Sequence, residues 1–330
     1  MMNTIKTHGW LYLNTPKNCR ALASLLIASV LSVATAACTT STTNTQNATE
    51  TTPMSTATTA TETQFMSIND RQIAYRSIGE GAPLLLINRF RGTLDTWDPA
   101  FIGSLAESRK VIIMDYPGIG YSEGTLSLDA KEVAADVKRF AEQLALGKVD
   151  LLGWSYGGLI AQYVAFLHPD TVHKVVLVGT NPPGKPEVPM EQAFQQHALK
   201  PAYALEDYTV LFFEPKSESS RAAAKASMER YWEKVDHSKV PGTMEMFQRY
   251  IGGMRGVMAD ADDLRKEFAT TEVPMLVLMG DHDISFAVEN WFPLVREAPK
   301  MQLVVFPEAG HAPHFQYPTM SAAYIDGFLR

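Results

Sequence analysis

The chain has 330 residues, a formal charge of −7, 46% hydrophobic residues and 20% charged residues. That is ample material for a core, and the acidic balance, with no basic cluster in the apolar part, argues against a nucleic-acid partner. Both cysteines, Cys19 and Cys38, fall near the N-terminus, so the rest of the chain has no disulfide, no thiolate nucleophile and no cysteine-ligated metal.

Residues 1–37 read as a signal peptide. Lys6, Lys17 and Arg20 come first, a weakly apolar stretch runs from Ala21 to Ala37, and Ala-Thr-Ala-Ala-Cys closes it at Cys38. The closing cysteine resembles a bacterial lipobox, which implies lipidation of Cys38, although Thr35 stands where leucine is usual. Cleavage after Ala34-Thr35-Ala36, leaving a soluble periplasmic or secreted protein, and an uncleaved anchor helix are the competing readings. The leading expectation is an exported lipoprotein of a bacterial envelope, held to the membrane by its lipid alone. Residues 38–64 are dominated by Thr and Ser and lack large apolar groups. Such a segment cannot bury enough surface to offset ordering, and is expected to be a disordered linker.

The folded domain is expected over residues 65–330. Phe65–Ile68 and Arg71–Tyr75 alternate around Asn69-Asp70, a hairpin signal. Pro83–Ile87 and Val111–Met114 are continuous apolar runs, as in strands buried on both faces, and Val149–Trp154, Val172–Val178, Val273–Met279 and Met301–Phe306 are further, mostly apolar strands. Leu128–Leu146, the stretch after Ser155 to about Leu167, and Pro318–Leu329 have helical patterns. The alternation predicts an α/β fold with a mostly parallel sheet covered by helices on both faces. Residues 181–272 are helical in pattern and too long for a loop, so they are expected to form a helical cap over the C-terminal edge of the sheet.

The chemistry centres on Gly153-Trp154-Ser155-Tyr156-Gly157 between a strand and a helix. Small residues let a sharp turn close there, projecting a serine beside the free N–H groups of a helix start. A small-residue turn can also be plain packing, so an acid and a histidine must follow. Asp281 and Asp283 follow the strand at Val273–Met279, and His311 follows Met301–Phe306. The pentapeptide and the order serine, acid, histidine resemble the α/β-hydrolase superfamily. The resemblance implies Ser155 as nucleophile, His311 as base and Asp283 as the acid, with Asp281 the alternative that would otherwise brace the loop. It implies a serine hydrolase that cleaves small carboxylic esters or lactones without a metal or organic cofactor. Perhydrolase, amidase or C–C bond hydrolase chemistry on the same triad, or a non-catalytic binding protein of the same fold, are the alternatives.

Capped relatives usually carry His-Gly after the strand corresponding to Pro83–Ile87; this chain has Asn88-Arg89-Phe90-Arg91-Gly92. Alignment on the strand end assigns the backbone N–H groups of Phe90 and Tyr156 to the oxyanion hole. Arg89, Arg91 and Trp154 are candidate substrate contacts. The arginines either clamp a substrate carboxylate or pair with Asp95 or Asp98. His314 is expected at a surface or cap contact, His282 exposed, and Asp115 in a structural turn.

Overall fold

The computed structural model describes residues 62–330. The signal peptide, Cys38 and the Thr/Ser-rich segment through Thr61 lie outside the described residues. That segment was expected to stay unstructured through residue 64, but Gln64 already pairs with Tyr75 and begins the first strand.

Eight strands form one sheet: β1 (Gln64–Ile68), β2 (Arg71–Ile78), β3 (Ala82–Ile87), β4 (Arg109–Met114), β5 (Val149–Trp154), β6 (Val172–Val178), β7 (Met275–Gly280) and β8 (Met301–Phe306). Their spatial order is β1-β2-β4-β3-β5-β6-β7-β8. β1, β2 and β4 pair antiparallel, and every pairing from β4 through β3 to β8 is parallel. The apolar runs have a simple cause. Successive side chains point to opposite faces, and both faces are covered over β3, β4, β5, β6 and β7. Leu85, Ile87 and Leu151 enter one core, while Leu84, Leu86 and Leu152 enter the other.

Helices α1 (Pro99–Ala106), α2 (Ala130–Gln143) and α3 (Tyr156–Leu167) connect the early strands. α2 and α3 fill the first core through Val133, Val137, Leu159 and Tyr163. α1 fills the second through Phe101 and Leu105. Between β6 and β7 lie α4 (Gln192–Ala198), α5 (Leu205–Phe212), α6 (Glu218–Tyr231) and α7 (Met244–Met258), which form the cap. After β8 come α8 (Pro313–Gln316) and α9 (Pro318–Leu329), the latter packing against α1. Among the described residues no helix is long and apolar enough to cross a membrane.

Candidate active site

Ser155 sits between β5 and α3 at φ 59°, ψ −118°. A non-glycine residue there is strained by about 1–3 kcal/mol and persists only where its surroundings over-determine it. Those surroundings are visible. Ser155 N–H donates to Val178 O at 2.9 Å, and Thr180 Oγ1 donates to Ser155 O at 2.9 Å. A Cβ on Gly157 would lie 2.1 Å from Ile87 O, and one on Gly153 would lie 2.3 Å from Gly157 O. The two glycines are therefore required by close approach of backbone to backbone, which lets β5 and α3 pack tightly enough to force the turn.

The loops after β7 and β8 are joined to each other by backbone bonds. Asp281 N–H donates to Phe306 O at 3.0 Å and His282 N–H to Ala309 O at 2.9 Å. Asp281 Oδ1 accepts Ala309 N–H at 3.1 Å and meets His282 Nδ1 at 2.7 Å. That bond raises the His282 pKa above the ordinary histidine value. Asp281 is thus occupied within the loops, and it is Asp283 whose Oδ2 meets His311 Nδ1, at 2.8 Å. Asp283 Oδ1 accepts the N–H groups of Ser285 and Phe286 at 2.8 and 3.0 Å. These three contacts fix the carboxylate, which is buried together with His311. With Nδ1 engaged, His311 has Nε2 left for chemistry, and it lines the same cavity as Ser155. Phe194, Phe212 and Phe286 surround its ring.

Asn88 replaces the usual histidine with a well-bonded side chain. Its Nδ2 donates to Met114 O at 2.8 Å and Asp115 Oδ1 at 3.2 Å, and its Oδ1 accepts from Trp97 Nε1 at 2.6 Å. Asp115 also accepts the N–H groups of Leu94 and Tyr121, so it holds turns together. The turn then closes through Gly92 N–H to Arg89 O at 2.9 Å. Among the described residues, neither the Phe90 N–H nor the Tyr156 N–H is taken up by a protein acceptor.

The two arginines part company at this turn, and neither pairs with Asp95 or Asp98. Asp95 pairs with Arg76 at 2.7 Å, and Asp98 with Arg230 at 2.5 Å. Arg91 is corrected from substrate contact to cap brace. It donates to the carbonyls of Ala198, Lys200 and Pro201 at 3.1, 2.6 and 2.8 Å, satisfying carbonyls at and beyond the end of α4. Those bonds and packing on Tyr203 and Phe247 hold it at φ 60°. Arg89 instead lines the cavity.

Trp154 is likewise corrected. It does not line the cavity; it lies beneath it, donating from Nε1 to His311 O at 3.0 Å and packing on Phe212 and Phe315. Its position at the last residue of β5 turns it into the second core. His314 is fully buried rather than at a surface or cap contact, with Trp97, Phe101, Trp154 and Phe315 around its ring. Neither ring nitrogen has a partner. Burial holds its pKa well below the ordinary histidine value, with the His311 and Arg89 charges adding to the effect.

The cavity is lined by Arg89, Phe90, Ser155 and His311 from below, and by Phe194, Ala198, Tyr203, Leu211 and Phe212 of the cap. The cap residues were legible only as a general aromatic richness. Its volume of about 10 Å³ holds about one water. A larger cleft of about 180 Å³, lined among others by Asn181, Lys185, Arg265 and Asn290, includes none of Ser155, Asp283 and His311.

A family model described as alpha/beta hydrolase fold matches residues 82–318. The pimeloyl-acyl-carrier protein methyl ester esterase of Klebsiella pneumoniae is 28% identical over 268 residues, covering 78% of this chain and 96% of the relative. The enzyme of that name from Vibrio parahaemolyticus is 27% identical over 243 residues, covering 72% and 91%. Among solved structures, an alpha/beta hydrolase fold protein from Chitinophaga pinensis superposes with a TM-score of 0.73 at 28% identity, covering 82% of this chain and 98% of that one.

Proposed function

The chain belongs to the alpha/beta hydrolase fold family and is an enzyme, and we propose that it hydrolyses small carboxylic esters or lactones through an acyl-enzyme on Ser155. The observation that carries this reading is the strained Ser155 in one cavity with His311, whose Nδ1 is bonded to Asp283. The esterase relatives support the same class of reaction.

His311 Nε2 takes the Ser155 proton as Oγ attacks the carbonyl carbon. The carbonyl π electrons move to oxygen, where the Phe90 and Tyr156 N–H groups receive the developing charge. Collapse of this intermediate breaks the bond to the leaving oxygen, which His311 protonates as it departs. Water then attacks the acyl-enzyme, gives its proton to His311, and the second collapse releases the carboxylic acid while Ser155 recovers its proton. Asp283 keeps the imidazole in the tautomer with Nε2 free and stabilises its charged form. For a lactone the leaving hydroxyl stays attached to the acyl chain. In the test, Ser155→Ala is purified and its turnover of a short-chain aryl ester measured. A loss of about three orders of magnitude or more, with an unchanged melting temperature, is expected. Turnover equal to the parent enzyme refutes the assignment.

A further inference from the structure

Arg89 is only 4% exposed, yet it has no carboxylate partner among the described residues. Its Nη1 donates to Phe90 O at 2.7 Å, and its Nε is buried without any partner. The guanidinium lies 4.7 Å from the centre of the Phe212 ring and 5.1 Å from that of Trp154. Aromatic faces attract a cation but accept none of its in-plane N–H bonds. The carboxylates nearby in sequence are committed elsewhere: Asp95 to Arg76, Asp98 to Arg230, and Asp115 to the N–H groups of Leu94 and Tyr121. A buried charge with unmade hydrogen bonds is costly to keep.

The cavity it faces adds the second observation. The lining contains Ser155, His311 and apolar or aromatic side chains, with Arg89 the permanent cation and no acid to answer it. Arg91, two residues on, has its carbonyl partners in the cap and does not line the cavity. The wall thus offers an apolar slot, a nucleophile and one guanidinium whose missing partner is an anion.

We propose that Arg89 receives a free carboxylate of the substrate, so that the preferred substrates are esters or lactones carrying a second, ionised carboxyl group, such as half-esters of short dicarboxylic acids. The carboxylate supplies the in-plane acceptors that the protein lacks, and the planar guanidinium matches it in two parallel bonds. The proposal rests on the serine-hydrolase reading of the same cavity.

The test compares monomethyl esters of C4 to C7 dicarboxylic acids with the matching methyl esters whose free acid is a primary amide. The wild-type enzyme is expected to favour the acid of at least one pair in kcat/KM by about 10- to 100-fold, the scale of charge-assisted hydrogen bonds in a closed site. Arg89→Met should abolish that ratio, and Arg89→Lys should keep part of it. Absence of any preference for the acid in the wild-type enzyme overturns the proposal whether or not the variants fold. So does an equal loss on acid and amide in Arg89→Met, which would place the guanidinium on the oxyanion or in packing instead. Fluorophosphonate labelling of wild-type Ser155 separates the two readings. A labelled enzyme with no acid preference fails only the Arg89 assignment, and an enzyme that is neither labelled nor hydrolytic fails both.

Discussion

The sheet edge and the cap are built by different means. At the edge, Ser155, Asp283 and His311 leave the ends of parallel strands, and backbone bonds fix their turns: Ser155 to Val178 at the end of β6, and the two later loops to each other through Asp281 to Phe306 and His282 to Ala309. The cap is tied down by a few isolated backbone bonds, such as Ala312 N–H to Phe212 O at 2.9 Å, and by buried side chains. Arg91 holds the carbonyls after α4, and Asp98 binds Ser227 Oγ at 2.6 Å and Arg230 of α6. Backbone ladders place reacting atoms with little dependence on sequence. Side-chain ties let the cap change its lining while the edge stays the same, which is how one fold serves many substrates.

The difference predicts separate consequences for the two regions. The largest effect belongs to the edge. Asp283→Asn should lower kcat by about four orders of magnitude, through loss of the correct His311 tautomer, with little change in melting temperature. Asp281→Asn should cost far less activity, because that carboxylate bonds the loops and not His311. Equal losses measured side by side would mean that the acid is assigned to the wrong residue.

A cap tie should show the reverse pattern. Asp98 is fully buried, caps α1 by accepting Ala100 N–H at 2.9 Å, and carries the pair with Arg230. Asp98→Ala should lower unfolding stability by about 3 kcal/mol, from a lost cap and an unpaired half-buried arginine. Chemical denaturation reads this directly, and a loss below about 0.5 kcal/mol would show that the Asp98 tie contributes little to holding the cap.

The smallest effect concerns His314, beneath both regions. Its lowered pKa means that the folded protein disfavours the charged form. The stability it contributes is present above the ordinary histidine value near 6.5 and is lost as pH falls below it. Stability should therefore fall as pH drops below about 6.5, and His314→Phe should flatten that part of the profile. An unchanged slope in the variant would place the acid sensitivity elsewhere.

The sequence was most legible where one cause acted alone. Val149–Trp154, Val172–Val178 and Met301–Phe306 match β5, β6 and β8 because each is mostly apolar; β5 is buried throughout and β6 over its last four residues, whereas β8 is buried only at Phe306. Ser155, the acid loop and His311 were legible because each follows such a strand. α1 was not anticipated, being only 8 residues long with a glycine inside, yet Asp98-Pro99 is a helix-start signal that pointed to it. The partners of Arg89 and Arg91 were not legible, since the choice between aspartate, carbonyl and cavity depends on where the cap descends. The depth of Trp154 and His314 escaped for the same reason: which face a strand-end residue takes, and what covers it, is decided by distant helices.

The central claim is that Ser155 is an activated nucleophile, and covalent trapping tests it most directly. The wild-type enzyme is incubated with a fluorophosphonate and its peptides are mapped by mass spectrometry. One phosphonyl adduct is expected, on Ser155, formed far more slowly when His311 is replaced by alanine. No adduct, or an adduct on another residue at the same rate in the His311→Ala variant, would contradict it.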